Sequence, residues 1–226
     1  MRIAFAADDT NECTEAVLAH LRSVADVRVV ETASWPDFSR EVAEAVARHD
    51  RPRIEPGDRA EIGALNSLIA RVVGRVAGTG PPNLFTTLGR HRRLFRRWLR
   101  FAGSLMPGGR LPRVDTELVI LRVAHNCDCA YEWGHHVHLG GRAGLTGEEI
   151  ERVRLGPDDD GWSPRRSAML RAVDELHEGR DVTDETWSEL RDHFDDKDLI
   201  ELCLLVGHYE MLAMTINSLG IQPDKH

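Results

Sequence analysis

The sequence predicts a mainly α-helical protein whose helical region follows a short β-α-β-α segment. From residue 58 onward, apolar residues recur with the period of an α-helix, and no run alternates as a strand would. Glycines and prolines separate these periodic stretches from one another. The first fifty residues instead contain two short β-rich runs, each followed by a helical pattern.

The N-terminal segment is predicted to be a unit of its own. Strands are expected at residues 1–6 and 27–31, with helices near 10–24 and 36–48. The stretch HDRPRIEPGD at 49–58 is rich in helix breakers and is typical of a linker. We therefore divide the chain into an α/β fragment at 1–50 and an all-α domain at 51–226.

Several helices of the second domain have recognisable ends. Thr146 with Glu149 forms a capping box, Ser163 precedes Pro164 as an N-cap, and Gly220 is suited to end the last helix. The predicted helices lie at about 58–77, 83–106 with a break near Gly89, 113–126, 128–142, 147–155, 164–179, 184–194 and 197–219.

Composition limits the classes of function. The 226 residues carry a net charge of −8, which argues against general nucleic-acid binding. The basic run RHRRLFRRWLR is interpreted as a helix at a subunit interface, because Leu94, Phe95, Trp98 and Leu99 fit one buried stripe. No uninterrupted apolar run reaches the roughly 18 residues of a membrane helix, so a cytoplasmic protein without a membrane partner is expected. Four cysteines are too few for a disulfide scaffold.

The densest group of reactive side chains is HNCDCAYEWGHHVH at 125–138. On a helix, Cys129, Glu132 and His136 lie on one face, and Glu117 on the preceding helix would fold back beside them. A carboxyl group and an imidazole at such a site can transfer protons. A nearby base and a helix N-terminus would instead favour a reactive thiolate. Both kinds of chemistry remain open at this point.

Four further side chains are possible pocket residues. Tyr131 and Trp133 adjoin the group, although core or interface positions suit them better. His208 and Tyr209 lie on the last helix and could line the same pocket.

A metal site within the motif is not expected. Cys127, Cys129, Glu132 and His136 are all competent ligands, but their spacing is not a usual zinc pattern.

Residues 53–222 resemble the carboxymuconolactone decarboxylase and alkylhydroperoxidase D superfamily. The resemblance rests on ELVILRVAHNCDCAYEWGHHVHLGGRAGLTGEEI and on DLIELCLLVGHYEMLAMTINSLGIQP. It implies an alkylhydroperoxidase D-like helical bundle, no cofactor and a trimeric or hexameric homo-oligomer. Peroxidase members have a Glu, a Cys-x-x-Cys and a His at positions that fall on Glu117, Cys129, Glu132 and His136. The second cysteine of that pair is therefore a glutamate here.

Three functions stay open after this exchange. A disulfide between positions 129 and 132 is impossible, so we favour proton transfer, as in decarboxylation, on a small carboxylic or lactone substrate. A thiol peroxidase reacting through Cys129 is the first alternative, with Cys127 as the resolving thiol. The second alternative is a non-catalytic oligomeric binding protein.

The N-terminal segment has a resemblance of its own. MRIAFAADDTNECTEAVLAHLR and SWPDFSREVAEAVA, within residues 1–48, are similar to the opening of ribose-5-phosphate isomerase B. Asp8 matches an aspartate of that family, but Asp9 stands where a histidine would be. We expect a fragment without isomerase activity.

Overall fold

The computed structural model describes residues 2–5, 26–29, 51–77 and 80–224. Strands β1 (Arg2–Phe5) and β2 (Asp26–Val29) pair in parallel, with Ile3 opposite Val27. The helices predicted after each strand lie outside the described residues. The β-α-β-α segment therefore stays a prediction.

The remainder of the described chain is helical, which confirms a mainly α protein. Its helices are α1 (Arg59–Ile62), α2 (Ala64–Ala77), α3 (Asn83–Leu88), α4 (Arg92–Leu105), α5 (Arg113–Asn126), α6 (Ala130–Ala143), α7 (Gly147–Leu155), α8 (Pro164–Gly179), α9 (Asp184–Arg191) and α10 (Asp196–Leu219).

Most predicted ends are confirmed by the capping contacts. The Thr146 side chain accepts a hydrogen bond from the backbone of Glu149 and completes a capping box at α7. Ser163 caps α8 in the same way, and Gly220 ends α10 in the left-handed conformation.

Two predicted helices are shortened by backbone conformation. The helix expected over 58–77 is divided at Gly63, whose φ of 83° is incompatible with helix continuation. The helix expected from 128 begins at Ala130, because Asp128 has a φ of 49° and turns the chain sharply after α5. This turn brings α5 and α6 together.

Helix α5 is the centre of the core. Leu118, Val119, Ile120 and Leu121 have no exposed surface, so the helix is buried on every side. Helices α6, α8 and α10 pack around it. Side chains that α5 and α6 turn toward each other are therefore removed from water.

The arginine-rich helix α4 differs from the prediction at one position. Phe95 is buried and Trp98 and Leu99 are half-buried, but Leu94 is 58% exposed. Within the single chain the buried stripe therefore excludes Leu94, and the subunit interface stays a prediction. Successive helix positions are about 100° apart, so the face that buries Phe95 leaves its neighbour outside.

By length and composition alone, helix α10 could cross a membrane. Half of its most apolar window is buried against the rest of the described protein, as in a core helix.

Candidate active site

Glu117 and His136 form a buried pair between α5 and α6. The His136 Nδ1 atom lies 2.7 Å from Oε2 of Glu117, whose side chain has no exposed surface. One turn earlier on α5, Arg113 places Nη2 2.6 Å from the other carboxyl oxygen. The carboxyl group thus has one basic partner on each oxygen.

The charge state of Glu117 follows from these partners. Burial alone would raise the pKa of Glu117, but His136 and Arg113 outweigh it and lower that pKa below its ordinary value. A carboxylate accepts hydrogen bonds only, so it holds the proton of His136 on Nδ1. Nε2 is then the nitrogen that can exchange a proton with a ligand.

Glu132 lies one turn before His136 and is in a different environment. The residue is 2% exposed, and neither carboxyl oxygen has a hydrogen-bond partner within the described part of the chain. Burial raises the pKa of Glu132 well above its ordinary value, the thiol of Cys129 opposes this, and the charge of Glu210 adds to it. The site therefore holds one ionised and one neutral carboxyl group.

A cavity of about 570 Å³ reaches this group. Glu132 and His136 line it together with Arg113, His208 and Tyr209. The other walls are largely apolar and include Leu84, Phe85, Trp98, Met106, Leu139 and Leu212. Such a volume, with few polar groups, suits a small organic ligand.

His208 and Tyr209, two of the possible pocket residues, form one wall of the cavity. The ring of His208 stacks on Trp98 with centroids 6.1 Å apart, and its Nδ1 has no partner among the described residues. Burial lowers the pKa of His208 to about 4, so the ring is neutral. Tyr209 places its ring edge-on to His136 with centroids 5.3 Å apart.

Tyr131 and Trp133, the two possible pocket residues on α6, lie in different environments. Tyr131 lines the cavity, and its hydroxyl donates a hydrogen bond of 2.9 Å to Asp224. The other oxygen of Asp224 accepts from the backbone N–H of Asn83 at 2.7 Å. Trp133 is not among the described cavity residues; it is buried in the core and packs under the guanidinium of Arg154, the kind of position that suited it better in the sequence. Trp133 follows Tyr131 by two residues, so its side chain lies on a different face of α6.

Both thiols of the motif lie in surroundings that raise their pKa. Cys129 occupies the N-cap of α6, yet it is 1% exposed and does not belong to the described lining of the cavity. Burial, reinforced by Glu132, raises the pKa of the Cys129 thiol. Burial likewise raises the pKa of Cys127 to about 12. The helix N-terminus does not offset these effects, and both sulfurs stay protonated at neutral pH.

Cys127 lies apart from the cavity, beside residues that the motif did not include. Its Sγ is 4.0 Å from Nδ1 of His177 on α8, and that nitrogen is 2.6 Å from Oε1 of Glu210 on α10. Nothing in the sequence links His177 or Glu210 to the motif. Arg113 was also missed, although its spacing of four residues from Glu117 is a recognisable signal.

The fold is shared with alkylhydroperoxidase D-like proteins. A crystal structure from Ralstonia eutropha JMP134, described as an alkylhydroperoxidase AhpD core and uncharacterized peroxidase-related protein, is similar with a TM-score of 0.69. The two are 21% identical, and the match covers 77% of this chain and 93% of that one. This likeness defines the class of fold.

Two further solved structures share it. An uncharacterized peroxidase-related protein from Silicibacter sp. TM1040 has a TM-score of 0.65 at 15% identity, covering 77% of this chain and 90% of that one. The debrominase Bmp8 has a TM-score of 0.63 at 15% identity, covering 75% and 91%.

Residues 92–175 match the model of the carboxymuconolactone decarboxylase family. This stretch contains Glu117, Glu132 and His136. No curated protein matches the chain. The resemblance of residues 1–48 to ribose-5-phosphate isomerase B has no counterpart in these matches and stays a prediction.

Proposed function

We propose that the protein is an enzyme of the carboxymuconolactone decarboxylase family that transfers a proton to or from a small carboxylic or lactone substrate. The observation that carries this proposal is the pairing of His136 with ionised Glu117 beside neutral Glu132, at a cavity of about 570 Å³. Two acid–base groups with opposed environments are the usual arrangement for taking a proton at one atom and giving it at another. No cofactor is part of the proposal.

Each residue has a separate role in this reaction. His136 uses Nε2 as the base, while Glu117 holds Nδ1 and stabilises the imidazolium that forms. Glu132 is the acid. In a decarboxylation, the carbon–carboxylate bond breaks, CO₂ leaves, and the electron pair left on carbon takes the proton of Glu132. Nε2 of His136 takes a proton from solvent, and the imidazolium that forms passes this proton to Glu132, so the net reaction consumes one proton from solvent. Cys129, beside Glu132, acts as a positioning residue.

The cavity favours an anionic ring as substrate. Its walls are largely apolar, and the guanidinium groups of Arg113 and Arg142 contribute positive charge. Only one nitrogen of Arg113 is needed for Glu117, so its remaining donors are available to a substrate carboxylate. A γ-lactone that carries a carboxylate has this combination of features.

A thiol peroxidase that uses Cys129, with Cys127 as the resolving thiol, is the second candidate. It is supported by the peroxidase-related proteins that share the fold. The Bmp8 debrominase, solved with 2,3,4-tribromopyrrole, adds a ring-shaped ligand to this group of structures. Burial of Cys129 and its raised pKa speak against rapid attack on a hydroperoxide.

The experiment is a comparison of proton exchange and thiol oxidation in the same preparations. Carboxylate-bearing γ-lactones are incubated in D₂O and followed by NMR for exchange and loss of CO₂. We expect turnover by wild type, a loss of roughly 100-fold or more in His136→Gln, and a smaller effect in Cys129→Ser. Rapid oxidation of Cys129 by an organic hydroperoxide, without lactone turnover, would favour the peroxidase. Absence of both reactions would favour a binding protein.

We also propose that the protein is a cytoplasmic homo-oligomer, trimeric or hexameric, that binds neither nucleic acid nor membrane. Support for the oligomer comes from exposed apolar side chains along α10, namely Ile200, Leu204, Met211 and Met214. Light scattering after size-exclusion chromatography would give the number of subunits.

A further inference from the structure

A second cluster of reactive side chains lies outside the described lining of the cavity. We call Cys127, His177 and Glu210 the Cys127 cluster. They come from three parts of the fold: the turn after α5, helix α8 and helix α10. One potential ligand atom of each residue lies within 4.8 Å of those of the other two. All three residues are half-buried, so the cluster is reachable from solvent.

The geometry does not suit a catalytic relay through the histidine. In a nucleophile–base–carboxylate relay, the two ring nitrogens contact different partners. Here Nδ1 of His177 faces both Cys127 at 4.0 Å and Glu210 at 2.6 Å. A sulfur, a nitrogen and an oxygen thus lie within 4.8 Å of one another, which is close enough for all three to bind a single ion after small movements.

We propose that the Cys127 cluster binds one divalent cation of borderline softness, of which Zn²⁺ is the representative. Thiolate, imidazole and carboxylate are the three ligand types that Zn²⁺ takes in proteins. On binding, the Cys127 thiol releases its proton to solvent and the sulfur bonds to the ion. The two negative ligand charges then balance the charge of the ion. A water completes the tetrahedron from the exposed side.

Small side-chain rotations are enough to form the site. Ligand atoms in a tetrahedral zinc site are roughly 3.3 to 3.6 Å apart, given bond lengths of about 2.0 to 2.3 Å. The sulfur must approach Nδ1 from 4.0 Å, and the carboxylate must withdraw from 2.6 Å. The backbone beneath is fixed, because Asn217 donates a hydrogen bond of 3.0 Å to the carbonyl of Cys127. Such an ion would tie α8 and α10 to the turn that precedes α6.

Other titratable groups near the cluster affect it differently. Glu132, on the side of the cavity, is neutral, so it neither attracts nor repels a bound cation. Arg180 opposes it, but this side chain is exposed and donates to the carbonyl of His177 rather than to a ligand atom. It can move into solvent without leaving a buried charge.

The test uses Co²⁺ and Zn²⁺ on the full chain, reduced and without a histidine tag. We expect one equivalent of Co²⁺ to give a sulfur-to-cobalt absorption band that Zn²⁺ displaces. Cys127→Ser should abolish the band, and Glu210→Gln should weaken apparent affinity at least about tenfold. Cys203→Ser is the matched control, since that half-buried thiol lies two turns before Glu210 on α10, and it should keep the band.

A measurement on wild type guards against variants that fail to fold. Alkylation of each cysteine is followed by peptide mass spectrometry with and without Zn²⁺. We expect Zn²⁺ to slow alkylation of Cys127 at least about tenfold and to leave Cys203 unchanged. No stoichiometric Co²⁺ binding, or equal protection of both cysteines, would overturn the proposal. Neither readout depends on enzyme activity, so the outcome is separate from that of the proposed proton transfer.

Discussion

His136 and Glu117 are 19 residues apart in sequence, yet Nδ1 and Oε2 approach to 2.7 Å in the interior. The contact crosses the interface between α5 and α6, which a sharp turn at Asp128 folds against each other. One hydrogen bond therefore joins the two central helices and fixes which imidazole nitrogen faces the cavity. Folding and chemistry depend on the same pair of atoms.

Replacing Glu117 by glutamine tests the orienting role of this contact. The amide keeps the shape but not the charge, so the imidazolium loses its stabilising partner. We expect turnover to fall roughly 100-fold or more, with a smaller change in KM. Glu148→Gln is the control, since that side chain is 84% exposed, and it should leave both parameters unchanged. An unaltered turnover number in Glu117→Gln would contradict the proposed dyad.

Replacing Glu132 by glutamine tests whether this carboxyl is neutral. Because burial raises the pKa of Glu132 in the folded protein, the unfolded chain ionises first as pH rises above about 4.5. The folded state then binds more protons, and wild type loses stability with rising pH until the folded group also ionises. Glu132→Gln lacks this loss. Urea unfolding at about pH 4 and pH 8 should show that the stability of Glu132→Gln relative to wild type increases with pH. If the free energies of unfolding of the two proteins change equally between these pH values, Glu132 is not neutral.

His208 predicts the opposite dependence on pH. Burial lowers the pKa of this ring to about 4, so between about pH 6.5 and pH 4 the unfolded chain binds the extra proton. The free energy of unfolding should therefore decline by about 2 kcal/mol as pH falls through that window. This is less than the full pKa difference would give, because the ring lines the cavity. His208→Phe preserves stacking on Trp98 and should remove most of this decline. If both proteins lose stability equally, the ring does not titrate as described.

The ion pair of Arg122 with Asp174 should be a main structural contact of α5. Arg122 binds both carboxyl oxygens at 2.6 and 2.7 Å, and a third nitrogen donates to the carbonyl of Val153. Asp174→Asn leaves a largely buried guanidinium without its charge partner and should cost about 3 kcal/mol in free energy of unfolding.

Asp158→Asn is the matched control for this measurement. Asp158 pairs with Arg171, but its side chain is 80% exposed, so the change should stay within about 0.5 kcal/mol. Equal losses in the two variants, measured by chemical denaturation, would show that burial does not decide the strength of these pairs.

The sequence predicts those features that depend on neighbours along the chain. The ends of α7 and α8 follow from Thr146 and Ser163, whose caps are formed within three residues. The spacing of Glu132 and His136 likewise suffices to place both at the cavity.

Features that depend on tertiary packing are not predictable in this way. The raised pKa of the Cys129 thiol depends on the helices that bury it, because burial is a larger effect than the backbone hydrogen bond of Glu132, which lowers this pKa. The approach of His177 and Glu210 to Cys127 requires α8 and α10 to pack beside the turn after α5. A residue such as Leu94 shows the same limit, because its exposure is decided by which face of α4 meets the core.

Asp224 joins Tyr131, in the cavity wall, to the backbone N–H of Asn83 at the start of α3. These two contacts link three segments that are far apart in sequence. Asp224 itself is not among the described lining residues of the cavity. The position of the Tyr131 ring therefore depends on a carboxylate behind the wall, so a substitution at Asp224 can alter ligand selectivity without removing any group that a ligand touches.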